Sequence, residues 1–193
     1  MAVTSSMMPL GTKAPEFELP DSVSGDVVSI TDYSDKSALL VMFICNHCPY
    51  VQHVREQLAS LGRDYENSQL GIVAISSNDV AAYPTDSPEA MKDEAEQFDY
   101  RFPYLFDEDQ SVAAAYTAMC TPDFFLFDQD RALVYRGRLD ASRPNTDVPV
   151  TGEDLRAAIE ATLAGEEVAP DQLPSMGCSI KWKPGNTPAY FNG

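Results

Sequence analysis

The stretch VMFICNHCPYVQHV (Val41–Val54) carries two cysteines, Cys45 and Cys48, with two residues between them, and both histidines of the chain, His47 and His53. It continues an almost unbroken apolar run, SALLVMFIC (37–45), and leads into Val51, Val54, Leu58 and Leu61 at helical spacing. A second apolar run, LGIVAISS (70–77), follows. Strands apolar on both faces suit a central parallel sheet covered by helices, so the segment reads strand, helix, strand. Cys45 closes the first strand and Cys48 enters the helix. At that point unpaired backbone N–H groups favour a thiolate, which predicts a Cys45 pKa below the ordinary ~8.5. Pro49 fits the first helical turn, where its missing N–H is not needed. His47 adds positive charge and should make a Cys45–Cys48 disulfide more oxidising.

The remaining pattern extends this unit. Ser87 is a natural N-cap for a second helix, with Pro88 and Glu89 in its first turn. YLFD (104–107) reads as a short strand and DQSVAAAYTAM (109–119) as a short helix. Phe124–Phe127 and Ala132–Tyr135 predict two antiparallel strands joined by the polar turn Asp128–Arg131. TGEDLRAAIEATLAGE predicts a final helix, capped by a Thr151/Asp154 box and ended by Gly165. Residues 1–36 form an N-terminal extension with a hairpin around Gly25, 37–165 the core, and 166–193 a tail that packs through Trp182, all as one domain.

Composition sets limits. The chain has 193 residues, long enough to bury a core without a structural disulfide. Thirty Asp and Glu against 13 Lys and Arg give a formal charge of −17, which repels phosphate and argues against nucleic acid or an anionic membrane as partner. No apolar run reaches the ~20 residues of a membrane helix, and the N-terminus lacks the basic and apolar regions of a secretory signal. The expected setting is cytoplasmic, where a close Cys pair is catalytic or metal-binding rather than structural.

Three chemistries fit the cysteines. A Cys-x-x-Cys at a strand-to-helix junction suits reversible dithiol–disulfide exchange. Cys45, Cys48, Cys120 and Cys178 could supply four thiolates to zinc, although such sites use two close pairs and Cys120 and Cys178 stand alone. Soft thiolates also suit Cu(I).

GTKAPEFELPD (11–21), ICNHCPYV (44–51), SSNDVAAYPTDSPEAM (76–91), CTPDFFLFD (120–128) and GCSIKWKP (177–184) together resemble the thioredoxin superfamily. Within it they resemble the redoxin branch of alkyl hydroperoxide reductase/thiol-specific antioxidant-like and TlpA-like proteins. The resemblance spans nearly the whole chain. It implies a thioredoxin-like α/β fold, with a central mixed β-sheet flanked by helices, and a thiol–disulfide oxidoreductase. Cys45 would attack and Cys48 resolve, with Asn46, His47 and Pro49 supporting them. Pro122 would be a cis-proline, and the Thr121 backbone would guide an extended substrate. Partners would be protein or small-molecule disulfides and a thiol reductant, with no cofactor. Ile44 stands where thioredoxins carry Trp, and LLVMF (39–43) lacks their buried acid, so an Asp or Glu from elsewhere or water must take its place. The peroxidase pattern P-x-x-x-T/S-x-x-C is missing before Cys45, leaving Arg138 or Arg143 as substitutes. In such a fold Cys120 lies near the Cys45–Cys48 face, and a tail folded over that edge would bring Cys178 to Cys120 or toward Cys45, so that Cys120 and Cys178 form a second redox pair or a relay that passes on the Cys45–Cys48 disulfide.

Overall fold

The computed structural model describes residues 2–191. Five strands form the central sheet, in the spatial order Tyr104–Phe106, Leu70–Ser76, Ala38–Phe43, Asp123–Phe127 and Leu133–Gly137. They are β4 (Ala38–Phe43), β5 (Leu70–Ser76), β6 (Tyr104–Phe106), β8 (Asp123–Phe127) and β9 (Leu133–Gly137). β4 runs parallel to β5 and antiparallel to β8, so the sheet is mixed. Every residue of β4 and β5 is buried, as continuous apolar runs require when both sheet faces are covered.

The two faces divide by alternation along β4. Leu40, Met42 and Ile44 pack with Val51, Val54 and Leu58 of α1 (Pro49–Tyr65), Met91 of α2 (Pro88–Phe98) and Leu155 and Ile159 of α4 (Glu153–Ala164). Leu39, Val41 and Phe43 pack instead with Val112 of α3 (Ser111–Ala115), Phe125, Phe127 and Ile180.

The chain ends meet in a smaller sheet. β1 (Ala2–Thr4) pairs with β10 (Met176–Ser179), which pairs antiparallel with the two-residue β7 (Cys120–Thr121). β2 (Glu18–Pro20) and β3 (Val27–Ser29) form the hairpin expected around Gly25, whose φ of +83° suits glycine in that turn.

Several local expectations shift. Ser87 caps α2 through its hydroxyl, which accepts from Ala90 N at 3.3 Å. α4 has no Thr151/Asp154 box: Gly152, in the left-handed region, is its N-cap, and Thr151 Oγ1 accepts from Glu153 N instead. Asp154 is drawn away to Arg138 at 2.6 Å. α3 is half the expected length because the chain turns at Thr117, whose φ is +49°. The hairpin strand expected at Ala132–Tyr135 runs from Leu133 to Gly137, with a bulge between Leu126 and Phe127.

Gly177 is where β10 closes on β7. A Cβ there would sit 1.9 Å from the Thr121 carbonyl oxygen, a contact that flexible side chains cannot relieve because it is backbone. Gly177→Ala should lower stability by about 3 kcal/mol, within the range for overpacking. A denaturant midpoint equal to the parent's would show that β10 is not held so tightly.

Candidate active site

Cys45 lies just beyond β4 and Cys48 is the N-cap of α1, with Pro49 in the first turn. Both thiols are buried, at 1% and 0% exposure, and neither is in a disulfide. The Thr121–Pro122 peptide bond is cis. It faces the pair: Thr121 Oγ1 lies 3.2 Å from Cys45 Sγ, and Cys48 Sγ lies 3.1 Å from the Thr121 carbonyl oxygen, to which it donates only when protonated. A thiol pair and a Thr-Pro turn separated by 73 residues are thus in direct contact.

The loop between the cysteines is held by Asp86, from the short 3-10 turn Pro84–Asp86 that precedes α2. Its carboxylate is fully buried and accepts four hydrogen bonds. Oδ1 takes the backbone N–H groups of Asn46 (2.9 Å) and His47 (3.1 Å). Oδ2 takes His47 Nδ1 (2.6 Å) and Asn78 Nδ2 (2.8 Å). Asn46 is fixed further by donating to the Thr85 carbonyl and accepting from the buried Tyr104 hydroxyl. His47 stacks on Tyr83, ring centroids 5.0 Å apart, with its Nδ1 4.0 Å from Cys45 Sγ.

Asp86 is a buried acid near Cys45, although β4 itself carries none. It lies in YPTDSPEAM (83–91), where the Ser-Pro helix start dominates the local pattern, so it reads as an ordinary polar residue before a cap. A second buried acid, Asp123, turns to Arg136 at 3.7 Å, both residues wholly inside. Burial pushes its carboxyl up to about 6.

The thiols share their proton unequally. The Cys45 proton is held well above the usual range, first by its hydrogen bond to Cys48, then by burial and by the nearby Asp86 charge. Cys48 is pulled down to about 4, first by the hydrogen bond from Cys45 and then, against burial, by Cys178 and Thr121. The Val51 N–H adds a smaller pull without forming a formal cap bond. The expectation of a depressed Cys45 pKa is therefore reversed in the reduced protein. As N-cap, Cys48 stands nearest the free N–H groups of the helix, whereas Cys45 stands nearer Asp86.

Cys120 and Cys178 do not face one another. Cys178 lies directly opposite Thr121 and Cys120 opposite Ser179, so the two cysteines project from opposite faces of the small sheet. The Cys120 thiol reaches the Pro122 carbonyl, and burial pushes its pKa up. Cys178 instead packs against the cluster that contains Cys45 and Cys48, close enough to Cys48 that each thiol shifts the other's pKa. Arg138 is engaged by Asp154 and Arg143 by the carbonyls of Asp140 and Ser142.

Cys45, His47 and Asp86 each offer a ligand atom within 4.8 Å of the others. They fit a metal poorly. Both Asp86 oxygens and His47 Nδ1 are already committed to the hydrogen bonds that hold the loop, and a metal would have to break them.

A family model described as AhpC/TSA family matches residues 10–136. The chain belongs to the AhpC/TSA family. Among solved structures, an uncharacterized conserved protein from Geobacillus kaustophilus is 55% identical, with 96% of this chain and 98% of that one covered and a TM-score of 0.94. A hypothetical protein from Sinorhizobium meliloti 1021 is 48% identical, covering 94% and 99%, with a TM-score of 0.92. The thioredoxin domain of a thiol-disulfide oxidoreductase from Bacteroides vulgatus is 20% identical, covering 67% and 89%, with a TM-score of 0.57. That last likeness is one of fold, and this AhpC/TSA member has a thioredoxin-like fold. No curated protein matches the chain.

Two predictions follow from this geometry. Asp86→Ala leaves four donors without an acceptor, two of them buried, which should cost roughly 3 kcal/mol and speed alkylation of Cys45. Unchanged stability and alkylation would mean that the loop holds its own shape. The reduced pair should carry one thiolate at neutral pH, visible in ultraviolet absorbance and lost only as pH falls toward about 4. Cys45→Ser removes the largest stabiliser of that thiolate, so the remaining titration should move upward. A parent midpoint near the ordinary ~8.5 would contradict the shared proton.

Proposed function

We propose that this AhpC/TSA family member is a thiol–disulfide oxidoreductase in which Cys45 and Cys48 cycle between dithiol and disulfide. The observation that carries this reading is the meeting of both sulfurs with Thr121, beside Pro122, at the N-terminus of α1. Cys45 attacks a substrate disulfide, breaks its S–S bond and forms a mixed disulfide. Cys48 then attacks the Cys45 sulfur, closes the Cys45–Cys48 bond and releases the substrate as thiolate. Two protein thiols are oxidised and one substrate disulfide is reduced.

The shared proton supports this division of work. In the resting dithiol, Cys45 donates to Cys48, so attack by Cys45 requires that its proton pass to the Cys48 sulfur. His47, with Nδ1 4.0 Å from Cys45 Sγ and bonded to Asp86, borders that sulfur in a fixed orientation. Asn46 and Pro49 position the loop and the helix start. The chain works as one domain, with the described residues of the extension 1–36 and of the tail 166–193 packed on the core 37–165. The stabilised Cys48 thiolate favours the reduced form, so a pair that starts as the disulfide runs the same steps in reverse and oxidises a substrate dithiol.

A peroxidase reading draws on one observation. The Thr121 hydroxyl at Cys45 supplies the polar hydrogen-bonding group that the sequence before Cys45 lacks. Against it, Arg138 and Arg143 are occupied elsewhere. Thiol exchange is therefore the reading we adopt.

The test is trapping. Cys48→Ser should accumulate mixed disulfides with a peptide disulfide substrate, and Cys45→Ser should form none through position 45 and lose turnover. Full peptide-disulfide reduction by Cys45→Ser would overturn the assignment. Peroxide consumption faster than disulfide exchange would move the protein to the peroxidase class.

A further inference from the structure

β10 occupies a position with chemical consequences. The resemblance implies that an extended substrate pairs with the backbone of the residue before the cis-proline. In this chain that residue, Thr121, is already paired antiparallel, and its partner is Cys178 of the protein's own C-terminal segment. Directly opposed residues in an antiparallel pair project to the same side. Cys178 therefore shares a side with the Thr121 hydroxyl, which touches Cys45, and it packs against the cluster that contains Cys45 and Cys48.

The seat is built rather than incidental. β10 is pressed so closely on Thr121 that only glycine fits at position 177. β10 also packs against α1, whose first residue follows Cys48. Beyond β10 the tail is tied down again: Lys181 N donates to Asn78 Oδ1 at 2.8 Å, and Asn78 Nδ2 donates to Asp86. The tail and the loop of the two catalytic cysteines are thus held by one hydrogen-bond network. Cys178 is also less deeply buried than either Cys45 or Cys48.

We propose that Cys178 is a third redox residue, which takes the disulfide from Cys45–Cys48 as a Cys48–Cys178 bond and presents it to an external thiol. This rests on the reading of Cys45 and Cys48 as an exchanging pair. In the first step the Cys178 thiolate attacks Cys48 Sγ. The Cys45–Cys48 bond breaks, the Cys48–Cys178 bond forms, and Cys45 leaves as thiolate and takes up the proton that Cys178 gave up. No electrons are gained or lost. In the second step a thiolate of a small-molecule thiol attacks Cys178 Sγ and expels the Cys48 thiolate. A second molecule of that thiol attacks the mixed disulfide and frees Cys178. Two reductant thiols become one disulfide, and the protein regains its dithiol.

The arrangement also limits the substrate class. A long extended peptide would have to displace β10 from Thr121, whereas a small thiol need only reach the Cys178 sulfur. Burial and the neighbouring Cys48 push the Cys178 thiol up to about 11, so the first step should quicken as pH rises above neutral.

Cys45→Ser, treated with a small-molecule disulfide and digested under non-reducing conditions, should yield a Cys48–Cys178 crosslinked peptide. Adding Cys178→Ser should abolish it and leave the reagent attached to Cys48. In a protein with Cys45 and Cys48 intact, Cys178→Ser should still form the Cys45–Cys48 disulfide, but its reduction by a small thiol should slow several-fold, with less dependence on pH. Reagent bound at Cys48 with no crosslink in Cys45→Ser, or reduction of Cys178→Ser at the parent rate, would overturn the relay. Near-ultraviolet circular dichroism of each variant reports whether the fold is kept, and Cys178→Ala supplies a second replacement if serine disturbs it. Failure of the exchange reading shows differently: the parent would then form no Cys45–Cys48 disulfide at all.

Discussion

The buried carboxylate of Asp86 is the constraint on which the site depends. A carboxylate removed from water is costly unless donors surround it, and here four donors do so. Two of them are backbone N–H groups of Asn46 and His47, so satisfying the acid fixes the path of the chain between the two cysteines. A third, Asn78, carries the same constraint to the C-terminal tail through Lys181. One unfavourable burial thus sets the loop, the His47 ring and the seat of the last strand together. The expense of such a group in a core explains why the network around it is complete.

Thr121 is the second fixed point. Its hydroxyl meets Cys45, its carbonyl oxygen lies 3.1 Å from Cys48 Sγ, and its backbone pairs with Cys178. Three cysteines therefore meet one residue, while the fourth, Cys120, is turned to the other face by the alternation of a strand only two residues long. The proton distribution follows from the same convergence. Cys48 gathers donors from Cys45, Cys178 and the helix start, while Cys45 lies in the field of Asp86.

Much of the scaffold was legible because it rests on short-range rules. The unbroken apolar runs of β4 and β5 report two covered sheet faces, and the Ser87-Pro88 start reports a cap and a first turn. Where a short-range rule misled, a distant partner had intervened. Asp154 could not complete a capping box with Thr151 because Arg138 holds it. The helix pattern after Asp109 stopped early because the chain must turn at Thr117 to reach β7 and the cis-proline.

Residues adjacent in the chain sufficed to mark a strand-to-helix junction with two thiols, a proline in the first helical turn and a Thr-Pro ahead of a strand. Those features depend on spacing and backbone preference, which neighbouring residues set among themselves. Only the folded chain decided which sulfur receives the help of the helix, which acid lies under the loop, and which cysteine Cys178 meets. The acid and the meeting with Cys178 depend on contacts between groups 39 or more positions apart, such as His47 with Asp86 or Cys48 with Thr121. Such contacts are selected by burial and by the need to satisfy every buried polar group at once, and no local period or motif encodes that requirement.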